Sequence, residues 1–368
     1  MKRLATLFSL ALVMCLALVA TGCATSGPAA SSGAASGGAA SGNTSSGGAA
    51  SKAAAPAEKP KVKIMVGGLN KQIYLPAMLT KQLGFFDEEG LDVELLDEPS
   101  GVSAEDAMLA GQVDAVVGFY DHNIDLQGAG KTTESIVQLD WVPGEVELVD
   151  AKKADQIKSP ADFKDKNLGV TGLGSSTNFL TQYLAVKNGV PVDQIHSIAV
   201  GACDTFIAAM QHGQIDAGMT TEPTISRLLK TGEAKVLVDM RTADGTRAAL
   251  GGTYPAASVY TQTAWADSHK DAAQRVANAF VKTLKWINTH SAAEIADKMP
   301  QDYYVGDKDM YVKALEAGKG MYSPDGKMPA DGPQTVLNVL SAFDKNVQGK
   351  QIDLSKTFTN EFVDKASK

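Results

Sequence analysis

Six short segments of the chain concentrate side chains able to grip a small polar molecule. They are 68–74 with Asn70 and Lys71, 100–103 with Ser103, Tyr120-Asp121-His122-Asn123, Gly174-Ser175-Ser176-Thr177, 202–204 with Cys203 and Asp204, and Thr221-Glu222. Hydroxyls and backbone N–H groups at the helix starts expected near Ser103 and near Ser175, Ser176 and Thr177 would donate to acceptor oxygens or ring nitrogens. Asp121, Asp204 and Glu222 would accept from an amino group, Lys71 and His122 would face an anion, and Tyr120 would offer an apolar face. Each has a plainer reading beside it: Ser103 and Asp204 as helix caps, the three hydroxyls as turn formers, Tyr120 as a core ring, Cys203 as a small buried filler. No arginine falls in these segments, so fork-like recognition of an anion is missing.

Catalytic and metal patterns are absent from the sequence. Of five histidines, none sits in H-E-x-x-H, and no G-x-S-x-G elbow occurs. Gly128-Ala-Gly130-Lys131-Thr132-Thr133 has the end of a phosphate-cradling loop, but the glycine required five residues before Gly130 is Asp125, whose carboxylate would repel phosphate. The three cysteines, Cys15, Cys23 and Cys203, form no C-x-x-C pair. No catalytic residue, metal ligand or cofactor is therefore assigned.

The elements that must carry these segments alternate strand and helix. Strands are expected at 61–67, 91–96, 113–119, 168–171, 195–200 and 217–220, from polar/apolar alternation or short apolar runs. Helices are expected at 74–83, 103–109, 178–188 and 205–212, the second opened by a Ser103-x-x-Asp106 capping box. Val113–Phe119 is apolar at nearly every position, as in a strand buried on both faces. The class is α/β. Residues 107–115 and 209–217 agree at six of nine positions, each a helix end, a glycine, then Gln, an apolar residue, Asp and Ala. That echo predicts two similar lobes. Helices at 270–288, 291–298 and 333–343 follow, and such a tail should pack on the first lobe. The expected division is 61–154 with 260–368 as one lobe and 155–259 as the other, with crossings near 150–156 and 256–262.

Met1-Lys2-Arg3, an apolar run from Leu4 to Ala20 and small residues up to Cys23 read as a signal peptide over 1–22. Ala20-Thr21-Gly22-Cys23 resembles a bacterial lipobox, which implies cleavage before Cys23 and lipidation of its thiol. Residues 24–60 contain 28 Ala, Gly or Ser among 37 and no aromatic, so they should form a disordered leash. A flexible chain of that length reaches roughly 30–37 Å. The 42 acidic against 34 basic residues, a formal charge of −8, exclude a nucleic-acid protein on electrostatic grounds.

The head resembles substrate-binding lipoproteins of ABC importers, in the nitrate/sulfonate/taurine group that includes binders of thiamine-precursor pyrimidines. The carrying residues are Leu83-Gly84-Phe85-Phe86 through Gly90-Leu91-Asp92-Val93, Leu109–Ala115, Ser159-Pro160-Ala161-Asp162 through Lys166, Gly213–Ala217 and Glu222-Pro223. The resemblance implies a type II periplasmic-binding-protein fold with two crossovers closing over a small ligand. It further implies an exported monomer, held to the membrane by its lipid alone, whose partner is an ABC permease. Asn70, Ser103, Tyr120, Asp121, His122, Ser175, Ser176, Thr177, Asp204 and Glu222 are the expected ligand contacts. The ligand stays open between a sulfonate, nitrate, a carboxylate or zwitterion and an aminopyrimidine. The alternative is an enzyme of the same fold acting on a small pyrimidine or organic acid.

Overall fold

The computed structural model describes residues 59–366. The expected signal peptide, Cys23 and the leash up to residue 58 lie outside the described residues. Ten strands form: β1 Lys61–Val66, β2 Asp92–Asp97, β3 Ala115–Phe119, β4 Thr133–Gln138, β5 Glu145–Asp150, β6 Asn167–Val170, β7 His196–Ala199, β8 Ala217–Thr221, β9 Ala234–Asp239 and β10 Ala257–Gln262. They make two five-stranded sheets, ordered β2-β1-β3-β10-β4 and β7-β6-β8-β5-β9. The two orders are equivalent position by position. In each, three parallel strands are followed by one antiparallel strand, β10 in the first sheet and β5 in the second, that has crossed from the other half of the chain.

The repeated Gly-Gln-x-Asp-Ala segment has one structural job in both lobes. Gly111 and Gly213 adopt φ of 71° and 69°, the left-handed region that ends a helix without strain. The aspartate then ties its strand to the neighbour: Asp114 Oδ2 accepts from Lys63 N at 2.8 Å, and Asp216 Oδ2 from Asn167 N at 2.7 Å. Each carboxylate thus fixes where a central pair of strands begins.

The chain passes between sheets twice, at positions that differ from the sequence expectation. Because β5 pairs with β8 and β9, the first crossing spans 139–144 rather than 150–156. Because β10 pairs with β3 and β4, the return spans 240–256 rather than 256–262. The two crossings touch: Leu139 N and Asp140 N both donate to Ala257 O, and Ala256 N donates to Asp140 O. The helix expected from Ser103 starts two residues earlier, at Gly101. Ser100 is its cap, with Oγ accepting from Ser103 N at 3.3 Å.

The long helix Lys270–Thr289 packs on Leu75–Gln82 and Phe85–Glu88 beside the first sheet. Phe86 and Phe280 meet edge to face at 5.5 Å, and the buried Thr80 and Thr283 hydroxyls lie 2.7 Å apart. The helix Gly332–Ser341 contacts both Asp121–Gly128 and Ser176–Lys187, touching both lobes. Gly128 to Thr133 is an ordinary helix-to-strand join: a Cβ at Gly128 would meet Asn346 O at 2.1 Å, and Lys131 N closes on Leu126 O. Among the described residues no helix is long and apolar enough to cross a membrane.

Candidate functional site

In open α/β sheets the ligand site lies beyond the carboxyl ends of the parallel strands. Here those ends face each other. The turn after β1 reaches the second lobe through Gln72 N, which donates to Glu222 O at 3.1 Å, and through Asn70 Nδ2, 3.4 Å from Cys203 Sγ. The start of Gly101–Leu109 lies against Gly172 and Gly174, where a Cβ would come within 2.9 Å of Ser100 Oγ and 3.5 Å of Val102 respectively. His122 in the first lobe meets Phe179 in the second at 5.9 Å between ring centres.

β3 delivers the helix Asp121–Gly128, whose first turn buries Asp121, His122 and Asn123 completely or nearly so. Asp121 Oδ2 accepts from Tyr254 OH at 2.9 Å, from the return crossing, while Oδ1 is buried without a protein partner. Burial pushes the Asp121 carboxyl up to about 6, against the pull of the neighbouring His122. His122 Nδ1 lies 2.7 Å from Glu105 Oε2, and its unpartnered Nε2 is 4.0 Å from Asp121 Oδ1. Burial opposes charge on this imidazole, but the Glu105 carboxylate overcomes it and raises His122 to about 9. Room for the ring comes from Gly101, where a Cβ would sit 2.9 Å from Nε2.

The second lobe answers with β5. Glu145, at its start, is buried; Oε1 accepts from Ser176 Oγ at 2.9 Å and Oε2 has no protein partner. Burial raises this carboxyl to about 8; Asp121 adds to the rise, and the Lys71 ammonium and Ser176 hydroxyl oppose it. Two residues on, burial raises Glu147 likewise to about 8; its Oε2 accepts from Thr181. Lys71, also buried, donates to Gly67 O at 2.6 Å and Pro99 O at 3.0 Å, and burial lowers it to about 8 despite Glu145. The centre of the cleft is thus a carboxyl from each lobe, each with one oxygen held by a hydroxyl and one oxygen unpartnered. Among the described residues no group of His, Cys, Asp and Glu has the arrangement of a metal site.

The expected contacts divide. Asp121, His122 and Ser176 come together at this centre. Asn123 is beside them, its Nδ2 donating to Tyr120 O and its Oδ1 unpartnered. Asn70 lies at the cleft edge on Cys203. Ser175 and Thr177 are turn formers: their hydroxyls bond to each other, to Thr171 and, for Ser175, to Gly172 O. Ser103 bonds to Ser100 within its own helix start. Tyr120 turns into the core, where its hydroxyl meets Thr357 Oγ1 at 2.5 Å and its ring meets Phe358 edge to face. Asp204 is exposed and paired with Arg227 at 2.6 Å. Glu222 has both oxygens committed, to Arg241 Nη1 at 3.1 Å and Ser226 N at 3.0 Å.

Glu145, Glu105 and Tyr254 are absent from the expected set. Glu-Val-Glu-Leu-Val after Pro143-Gly144 does alternate with period two, which was the available signal for a strand opening with Glu145.

Comparison with known proteins gives the chain its relatives. The NMT1/THI5-like family model matches residues 73–293. A solved protein of Bordetella bronchiseptica RB50 is 36% identical, with 84% of this chain and 98% of that one aligned and a TM-score of 0.81. The alkanesulfonate-binding protein SsuA of Xanthomonas axonopodis pv. citri aligns over 82% of this chain and 99% of its own, at 18% identity and a TM-score of 0.65. The periplasmic nitrate-binding protein NrtA of Synechocystis PCC 6803 aligns over 84% and 89%, at 12% identity and a TM-score of 0.67. These two share the fold. No curated protein sequence matches. With two equivalent sheets joined by two crossings and a family match over most of both lobes, the chain has the periplasmic-binding-protein fold and belongs to the NMT1/THI5-like family.

Proposed function

We propose that this chain is an extracytoplasmic solute-binding protein, whose lobes close on one small polar organic molecule and hand it to the permease of an ABC importer. One observation carries the reading: Asp121 and Glu145, from facing lobes, are buried with an oxygen each that no protein group satisfies. An unsatisfied buried acceptor costs about 1–3 kcal/mol, a cost that ligand donors would remove. Such a ligand would draw the two lobes together, a hinge closure about the touching crossings. Fold relatives described as alkanesulfonate- and nitrate-binding support the class of function.

An enzymatic role has less to stand on. Cys203 is the free cysteine among the described residues, and burial raises its thiol, which keeps it protonated and a poor nucleophile. In the same proposal, residues 1–22 direct export, Cys23 carries the lipid, and the Ala/Gly/Ser stretch lets a monomeric head reach a membrane-bound permease. The head itself touches neither lipid nor nucleic acid.

The test is ligand-dependent stabilisation and compaction of the mature protein. Small-molecule extract of the host should raise the melting temperature, as binding to the native state requires, and small-angle scattering should show a smaller radius. Recovery of the ligand chemically unchanged is expected; turnover would replace the reading with the enzymatic one. In cells, Cys23→Ala should abolish lipid labelling and release the head from membranes.

A further inference from the structure

The charge of the ligand can be argued from the same centre, on the solute-binding reading above. The atoms left without partners include three acceptors, Asp121 Oδ1 and Asn123 Oδ1 in the first lobe and Glu145 Oε2 in the second, and three donor-capable atoms, His122 Nε2, the hydroxyl of Tyr260 stacked on it, and the hydroxyl of Thr221 paired with Glu145. All belong to side chains at most 1% exposed. The nearby cations are partly engaged. Lys71 gives two of its three N–H donors to backbone carbonyls, and His122 turns Nδ1 to Glu105 and leaves Nε2 open. Arg241 is held by Asp239 and Glu222. An anion placed here would meet two carboxyls, with one His122 N–H and one Lys71 N–H to oppose them.

We propose that the ligand is a small organic cation with at least two N–H donors, an amidinium, guanidinium or protonated amine, held between Asp121 of one lobe and Glu145 of the other. Bound this way it supplies the donors that both free oxygens lack, and it cross-links the lobes by charge. An acceptor elsewhere on the molecule would meet His122 Nε2–H.

Binding must then displace protons, because Glu145 keeps its proton up to about 8 and Asp121 up to about 6 when the site holds no cation. The groups that set their charge are known. Asp121 feels His122 and Asp125 on its own helix, Tyr254 from the crossing and Glu145 across the cleft. Asp344, after the helix Gly332–Ser341, also senses Asp121. Glu145 feels Lys71, Asp121 and Glu147. Protons leave Asp121 near 6 and Glu145 near 8, so cation affinity should rise across that interval, whereas an anion should bind less well as the carboxyls ionise.

Isothermal titration of the mature protein at about pH 5.5 and about pH 8.5 separates the cases. The probes are agmatine and benzamidine against ethanesulfonate and nitrate, followed by whatever molecule native mass spectrometry finds on protein purified from its host. The expected result is binding by a cation, roughly a thousandfold tighter at the higher pH, with proton release seen as a buffer-dependent heat. Glu145→Gln, which keeps the Ser176 contact, should flatten that pH dependence, with circular dichroism checking its fold. An anion that binds, more weakly as pH rises, overturns the cation assignment and leaves solute binding standing. No binding by any probe and no molecule captured from the host overturns the solute-binding reading itself.

Discussion

Glu145→Gln tests the physical state of the cleft without any ligand. A carboxyl moved by burial from 4.5 to about 8 keeps its proton in the folded protein across pH values where the unfolded chain has lost it. The sign follows from linkage: folding is favoured fully below 4.5, and that advantage is lost as pH rises through the folded value near 8. The full displacement corresponds to about 5 kcal/mol, at 1.36 kcal/mol for each pH unit. For a domain of this size that is a change in melting temperature on the order of 10 °C or more. Glutamine keeps an oxygen for Ser176 and cannot ionise, so its contribution is the same at every pH. Melting curves of wild type and variant should therefore diverge between about pH 5 and about pH 8.5, the variant gaining relative to wild type as pH rises. Any fixed cost of the new amide donors shifts the variant's curve bodily and leaves this divergence intact. Parallel curves would refute the reasoning, since they would mean that Glu145 is ionised and compensated in the native state.

Glu105→Gln should cost most stability below pH 6.5 and progressively less from there to about 9, because the raised His122 favours the fold fully below its unfolded value of 6.5 and loses that advantage as pH climbs to the folded one; nuclear magnetic resonance titration of that imidazole should show its midpoint falling from about 9. Glu222→Ala should lower stability by roughly 1.5–3 kcal/mol, by stripping Arg241 and Ser226 N of their acceptor, and should be seen in chemical unfolding. Asp204→Ala, an exposed partner of Arg227, should change unfolding by at most about 1 kcal/mol and leave ligand affinity unaltered. Asp216→Ala should destabilise by about 1.5–3 kcal/mol through Asn167 N and Lys153, with ligand affinity preserved in titration.

How legible the molecule was depends on what each residue does for the backbone. Strands with apolar runs, such as Ala115–Phe119 and Ala217–Thr221, and helices with clear faces, such as Lys270–Thr289, were visible because burial dictates their composition. The duplicated Asp was visible because both copies bond an equivalent strand. β5 was missed, and with it Glu145, because its buried carboxyls look like a solvated surface until the helix Ser176–Lys187 supplies their hydroxyl partners. Helix starts misled in the other direction. Hydroxyls at Ser103, Ser175 and Thr177 satisfy their own turns, and Asp204 and Glu222 are bound to arginines far along the chain. Tyr120 follows a buried strand into a helix whose far side is covered by the C-terminal Thr357 and Phe358, a long-range packing that local sequence does not encode.

The central claim is capture of one small molecule between the lobes, and native mass spectrometry of the protein purified from its host measures it directly. The account predicts a single bound molecule per chain, released intact and lost when Asp121→Asn and Glu145→Gln are combined in a variant that still folds. Protein that emerges empty, and whose melting temperature no fraction of host extract can raise, would contradict it.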